Sequence, residues 1–148
     1  MRALLQRVSR ASVVVDGKIV GNIERGFLIL LGIGQGDSEA QVKQLTNKIV
    51  HLRVFEDEDG KMNRSLLDSG GQALVVSQFT LYANIHKGRR PSFIGAALPA
   101  LAEPLVERFK EAIAAHGIHV AGGIFGAHME VELLNNGPVT LWLDSQEL

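Results

Sequence analysis

The sequence predicts an α+β fold: a largely antiparallel, curled, barrel-like sheet with two main helices on one face. Strand-like and helix-like stretches follow one another in the order β-rich, helix, strand, helix, strand. Two segments repeat apolar residues at helical spacing, one around Val42–Leu52 and one around Leu101–Ile113. No internal repeat, low-complexity tract or linker divides the chain, so residues 1–148 read as a single domain, long enough to bury a core.

Met1 to Val8 reads as the first strand. Val13–Val15, the Asp16-Gly17 turn and Lys18–Val20 read as a β-hairpin, because Asp-Gly supplies the backbone angles of a two-residue turn. Gly26 to Ile33 is an apolar run of strand length, buried on both faces. The loop Gly32-Ile33-Gly34-Gln35-Gly36 resembles a phosphate cradle, but its third glycine comes early for the dinucleotide fingerprint and no Gly-Lys-Ser/Thr ending follows. A strand-to-helix turn is the better reading. Asp37 or Ser38 caps a helix to about Arg53, with Val42, Leu45, Ile49 and Leu52 on its inner face. The acidic stretch Phe55–Gly60 lacks the spacing of a calcium loop and reads as a solvated turn.

Ala73 to Ala83 reads as a central strand whose second half turns polar at Ser77, Gln78, Thr80 and Tyr82. Polar groups in a buried strand need partners, since each one left unsatisfied costs ~1–3 kcal/mol. Those partners are either a structural network or a ligand. His86–Pro91 is a basic loop, solvated or phosphate-holding. The second helix carries Leu101, Leu105, Phe109 and Ile113, has Pro99 or Pro104 in its first turn, and ends at His116-Gly117. Ile118–Val120 is a short strand and Gly122–Ala127 a glycine-rich loop. The last strand starts at His128, is broken at Asn135–Thr140 and resumes at Leu141–Leu143. Gly137-Pro138 is the break: glycine permits unusual angles, and proline has no N–H for a ladder. Such a break is either a hairpin or bulge corner or bare backbone placed at a site.

Composition narrows the chemistry. Hydrophobic residues make up 46% and charged residues 21%, as in globular proteins. There are no cysteines, which excludes disulfides, a thiol nucleophile and cysteine-held metals. The N-terminus lacks the apolar core of a signal peptide, and the run Phe27–Leu31 is too short to cross a bilayer, so the expected location is cytoplasmic, with no membrane partner. A net charge of −1 does not suit coating of long nucleic acid, DNA included. No serine-elbow motif occurs. His116 and His119 straddle a glycine and make a poor metal pair, so neither metal nor cofactor is expected. What remains is a cluster of neutral polar groups and a Gly-Pro break. Such groups suit positioning and oxyanion stabilisation more than acid–base work.

Ser77-Gln78-Phe79-Thr80-Leu81-Tyr82 and Asn135-Asn136-Gly137-Pro138-Val139-Thr140 resemble the two signature motifs of the D-aminoacyl-tRNA deacylases. The opening Met1–Val13 and the loop Gly88–Phe93 resemble the same family, so the resemblance runs from end to end. It implies hydrolysis of the ester joining a D-amino acid to the tRNA 3′ end, by a homodimer with sites at its interface. It implies that Ser77, Gln78, Phe79 and Thr80 form the catalytic pocket, with backbone N–H groups near Phe79 and Thr80 as oxyanion donors. It also implies that Gly137 and Pro138 form a cis chirality gate, reaching across the interface and rejecting L-residues while passing D-residues and glycine. It further implies that Arg7 supports that gate and that Phe125 and Met129 hold the terminal adenosine; core packing is the other reading of the latter two. The same resemblance implies that Lys87, Arg89 and Arg90 meet tRNA phosphates. Two rivals stay open: an RNA-end binding module without catalysis, and a small-ester hydrolase with Thr80 as nucleophile.

Overall fold

The computed structural model describes residues 1–148. Its elements are β1 (Arg2–Val15), β2 (Lys18–Ile23), β3 (Gly26–Gly32), α1 (Glu39–His51), β4 (Phe55–Glu56), β5 (Met62–Arg64), β6 (Gln72–Ser77), a single 3₁₀ turn (Phe79–Tyr82), α2 (Pro99–Ala114), β7 (Val120–Gly122) and β8 (Glu130–Asp144). The main sheet runs β2-β1-β3-β6-β7, and β8 adds to β1. Strand β1 is the hub: Arg2–Val8 pairs with β3, Ala11–Val15 pairs with β2, and β8 runs antiparallel along nearly its whole length.

The sheet is mixed, which corrects the largely antiparallel expectation. Strands β3 and β6 are parallel, and so are β6 and β7. The cause is the connection between them. Each parallel pair is joined through a helix, α1 in the first case and α2 in the second, and parallel strands need a crossover of that kind. The barrel-like curl is present: Gly21 and Gly122 bring the β2 and β7 edges so close that a Cβ on Gly21 would strike the Gly122 carbonyl.

Local sequence accounts for the boundaries. The β1–β2 turn puts Asp16 at φ 50° and Gly17 at φ 74°, the left-handed pair that matches hairpin twist. Ser38 caps α1: its hydroxyl accepts from the Ala40 N–H at 3.3 Å, and the Gln41 side chain accepts from the Ser38 N–H at 2.8 Å. Pro99 opens α2, where its missing N–H costs no bond. The acidic stretch forms the small β4–β5 hairpin.

Both helices pack on one face of the sheet, over a core that includes Leu5, Phe27, Ile29, Leu45, Ile49, Phe55, Val75 and Phe109. The alternate residues Leu28, Leu74 and Val76 join Val8, Ala11, Val13 and Ile23 in a smaller cluster inside the curl. This explains why β3 and β6 are apolar on both sides. Leu101 does not join the core; it is 44% exposed, and Ala102 takes its place on the inner face of α2.

Phe109 is fully buried, so Phe109→Ala is expected to cost about 3–5 kcal/mol of unfolding free energy in chemical denaturation. Leu101→Ala should stay within about 0.5 kcal/mol of the parent. Equal losses would show that the inner face of α2 is wrongly assigned.

Candidate active site

Strand β6 stops at Ser77, not at Ala83. Its partner β3 ends there: Leu31 pairs with Ser77, and the Gln78 N–H donates to the Leu31 carbonyl at 2.8 Å. The chain then bends at Gln78 (φ −144°, ψ 79°) into the 3₁₀ turn Phe79–Tyr82. Gln78, Thr80 and Tyr82 therefore do not share a strand face. The turn's own bonds run from the Leu81 N–H to the Gln78 carbonyl and from the Ala83 N–H to the Thr80 carbonyl. The N–H groups of Phe79 and Thr80 open the turn and have no partner within it.

The Gln78 side-chain amide donates to the Thr80 hydroxyl. An amide N–H₂ cannot take up a proton, so this contact orients Thr80 without activating it as a nucleophile. Tyr82 offers no base either. Burial pushes its phenol well above its ordinary value, Asp37 and Asp144 push it further, and Arg2 only partly opposes them.

A cavity of about 590 Å³ lies against this turn. Ser77, Gln78 and Phe79 form one side, and Phe125 and Met129 line the same space. It is mostly apolar. Phe79 is 57% exposed and meets Phe93 edge to face, with ring centroids 4.9 Å apart. The chain thus gathers Ser77, Gln78, Phe79, Phe125 and Met129 at one place. Phe125 also packs on the main core and Met129 on the smaller cluster, so each has a packing role and a cavity role at once. Phe93 and His128 are the residues that sequence reasoning did not assign. The Gly88–Phe93 stretch was the available signal for Phe93. His128 is the cavity's only titratable lining residue; it is exposed, and no hydrogen bond ties it to Ser77, Gln78 or Thr80.

The Gly137-Pro138 segment is built differently. Strand β8 is continuous through it. Gln6 pairs with Thr140 and Val8 with Asn135, so residues 136–139 of β8 face Arg7 alone. The Gly137–Pro138 peptide is cis. Arg7, only 5% exposed, donates through Nε to the Asn136 carbonyl at 2.8 Å and through Nη1 to the Val54 carbonyl at 2.6 Å. Its third contact is Glu56 at 3.4 Å. The Asn135 side chain staples the bulge from inside: it accepts from the Val139 N–H at 2.8 Å and donates to the Val139 carbonyl at 3.1 Å. Asn136 donates to the Ser9 hydroxyl at 3.1 Å. Val139 is buried, whereas Asn136, Gly137 and Pro138 stand exposed.

Arg7 and Asn136 line a second, polar hollow of about 440 Å³ with Arg25, Glu56 and Asp57. No residue of 135–140 lines the first cavity. Within one chain the two motifs are therefore separate. Lys87, Arg89 and Arg90 lie in an exposed loop closed by the Asn84–Ser92 bridge, and none of the three forms an ion pair within the chain.

The family described as D-Tyr-tRNA(Tyr) deacylase matches residues 4–144. The chain is 63% identical to the D-aminoacyl-tRNA deacylase of Thermomicrobium roseum, covering 100% of this chain and 96% of that protein. It is 60% identical to the D-aminoacyl-tRNA deacylase of Roseiflexus castenholzii, covering 98% and 92%. The solved structure of a protein called c-Myc DNA unwinding element binding protein superposes with a TM-score of 0.91 at 40% identity, covering 97% of this chain and 98% of that one.

Arg7→Ala is expected to leave the Val54 and Asn136 carbonyls without their donor, at roughly 1–3 kcal/mol each. Hydrogen exchange at the Val139 amide should rise more than exchange in β3. A uniform rise over the whole sheet would show that Arg7 supports the fold at large and not the bulge.

Proposed function

Because this chain belongs to the D-Tyr-tRNA(Tyr) deacylase family, we propose that it hydrolyses the ester of D-aminoacyl-tRNA, releasing free amino acid and tRNA. The observation that carries the reading is the mostly apolar cavity walled by Ser77, Gln78 and Phe79, beside two N–H groups left open at the head of the 3₁₀ turn. Attack on an ester carbonyl puts negative charge on its oxygen, and the Phe79 and Thr80 N–H groups are the donors for that charge. Water is the nucleophile, and the 2′-hydroxyl of the terminal ribose assists it, because Thr80 has no base beside it. Phe125 and Met129 hold the adenine by stacking and apolar contact, as suits an unpaired RNA end.

Gly137 and Pro138 form the chirality gate in this reading. Their segment is exposed and lies apart from the cavity of its own chain, which supports donation to the cavity of a second copy in a homodimer. Their carbonyls receive the α-amino group, an L side chain strikes the Gly-Pro backbone, and a D side chain points out. Glycine has no side chain to exclude, so glycyl-tRNA is a second substrate. Lys87, Arg89 and Arg90 contact acceptor-stem phosphates, which makes affinity fall with salt. The role is removal of wrongly charged tRNA during translation, in the cytoplasm.

Purified protein should therefore release tyrosine from D-tyrosyl-tRNA and glycine from glycyl-tRNA, and leave L-tyrosyl-tRNA intact. Binding to the D-substrate without release would favour the RNA-end binding module. Thr80→Ala should keep turnover within about tenfold of the parent, whereas a 2′-deoxy terminal ribose should slow it by about 10²-fold or more, the scale of a lost acid–base assistant. Near-complete loss in Thr80→Ala with normal cleavage of the 2′-deoxy substrate would favour the Thr80 nucleophile.

Gly137 sits at φ 153°, and a Cβ there would come within 2.6 Å of Val139 Cγ2. Gly137→Ala is expected to lower activity on D-substrates more than it lowers stability. An unchanged rate with an unchanged D/L preference would count against the gate.

A further inference from the structure

We propose that Arg2 is a positioning residue for the reaction, acting through the 3₁₀ turn that carries the oxyanion donors; this rests on the deacylase reading above. A turn of four residues holds itself weakly, so its placement must come from outside. Arg2 supplies that placement at two of its residues. Its Nη1 donates to the Leu81 carbonyl at 3.0 Å, and its guanidinium lies 4.4 Å from the centre of the Tyr82 ring. Gly34 also packs close on the turn, where a Cβ would collide with the Tyr82 ring. Tyr82 thus meets a cation and bare backbone.

Arg2 is itself fixed. Its Nε donates to Asp144 Oδ2 at 2.9 Å, and the guanidinium stands 5.6 Å from the centre of the Trp142 ring. The Asp144 carboxylate stays ionised: burial alone would push it up, but the Gln146 N–H and Arg2 outweigh burial and hold it below its usual range. One planar fork therefore meets a carboxylate, a carbonyl and a ring face together. Lysine's single ammonium does not reproduce that combination. Arg2 does not line the cavity, so its effect on the reaction runs through the turn. A displacement of about 1 Å in a catalytic group costs as much as 10²-fold in rate.

The test is steady-state deacylation of D-tyrosyl-tRNA and glycyl-tRNA by Arg2→Ala and Arg2→Lys, with Trp142 fluorescence and thermal unfolding followed in parallel. Arg2→Ala should lower kcat by about 10- to 100-fold on both substrates, with KM within about twofold and D/L preference unaltered. Methylguanidine, but not methylammonium at equal ionic strength, should restore part of the loss and return Trp142 emission toward the parent's. Arg2→Lys should recover less than half of it. The proposal is overturned by a folded Arg2→Lys with parental kcat, by a loss confined to KM, or by a loss that tracks unfolding without rescue. If Arg2→Ala fails to fold, the kcat of Arg2→Lys decides. A parent protein inactive on D-tyrosyl-tRNA would sink the deacylase reading itself, whereas an active parent with an indifferent Arg2 sinks only the role given to Arg2.

Discussion

Strands β1 and β8 must pair over almost their full length while β8 carries more residues than β1 can match. Four residues of β8, 136–139, stand opposite Arg7 alone, and β1 gives one residue back at Ser9, between the Val8–Asn135 and Arg10–Leu134 pairs. That mismatch sets Gly137 and Pro138 out as exposed backbone on an otherwise continuous strand. It also leaves carbonyls without ladder partners. Arg7 answers the Asn136 carbonyl with a buried guanidinium that also ties the bulge to the Val54 carbonyl, and Asn135 answers the Val139 backbone with both ends of its amide. A bulge left to itself would be a mobile defect. Pinned by charged hydrogen bonds on one side and an amide staple on the other, it becomes a fixed tool.

The other motif obeys the opposite logic. Strand β6 is central, apolar on both faces, and paired on each side to parallel neighbours. Its C-terminal end is where pairing runs out, and the chain leaves it through the turn Phe79–Tyr82. Backbone N–H groups thus come free beside a cavity without any strong side-chain acid or base in hydrogen-bond contact. One motif offers carbonyls on a bulge and the other offers N–H groups on a turn. An ammonium and an oxyanion are what those groups respectively suit. In the proposed reading the substrate's amino group and ester oxygen are those charges, and a second copy brings the carbonyls to the N–H groups.

Much of this was legible in the sequence. The Asp16-Gly17 turn, the Ser38 cap and the Pro99 start are local signals, and local signals survive folding. The Gly-Pro break was legible as a hairpin or bulge corner or as bare backbone at a site, but the choice among these was not, because a bulge is defined by its partner strand and β1 lies more than a hundred residues away. The run Ala73–Ala83 looked like one strand because periodicity does not register where a partner ends; β3 stops at Gly32, and β6 loses its ladder there. The β3–β6 parallel pair has a sequence signal: two purely apolar runs, Phe27–Leu31 and Ala73–Val76, separated by a helix, are the pattern of a βαβ crossover. Arg2 stood in the family-like opening but carried no signal of a positioning role. Its partners Leu81, Tyr82, Trp142 and Asp144 are scattered along the chain and meet only in the fold.

In the proposed reading, two backbone motifs, one from each of two copies, make a single site. The most direct measurement is a crystal structure with a non-hydrolysable 3′-amide analogue of D-tyrosyl-adenosine. A two-copy site places the adenine between Phe125 and Met129, the carbonyl oxygen facing the Phe79 and Thr80 N–H groups, and the α-amino group on the Gly137 and Pro138 carbonyls of a second copy. A bound analogue whose amino group meets only residues of the same chain, with Gly137 and Pro138 of both copies facing solvent, would contradict it.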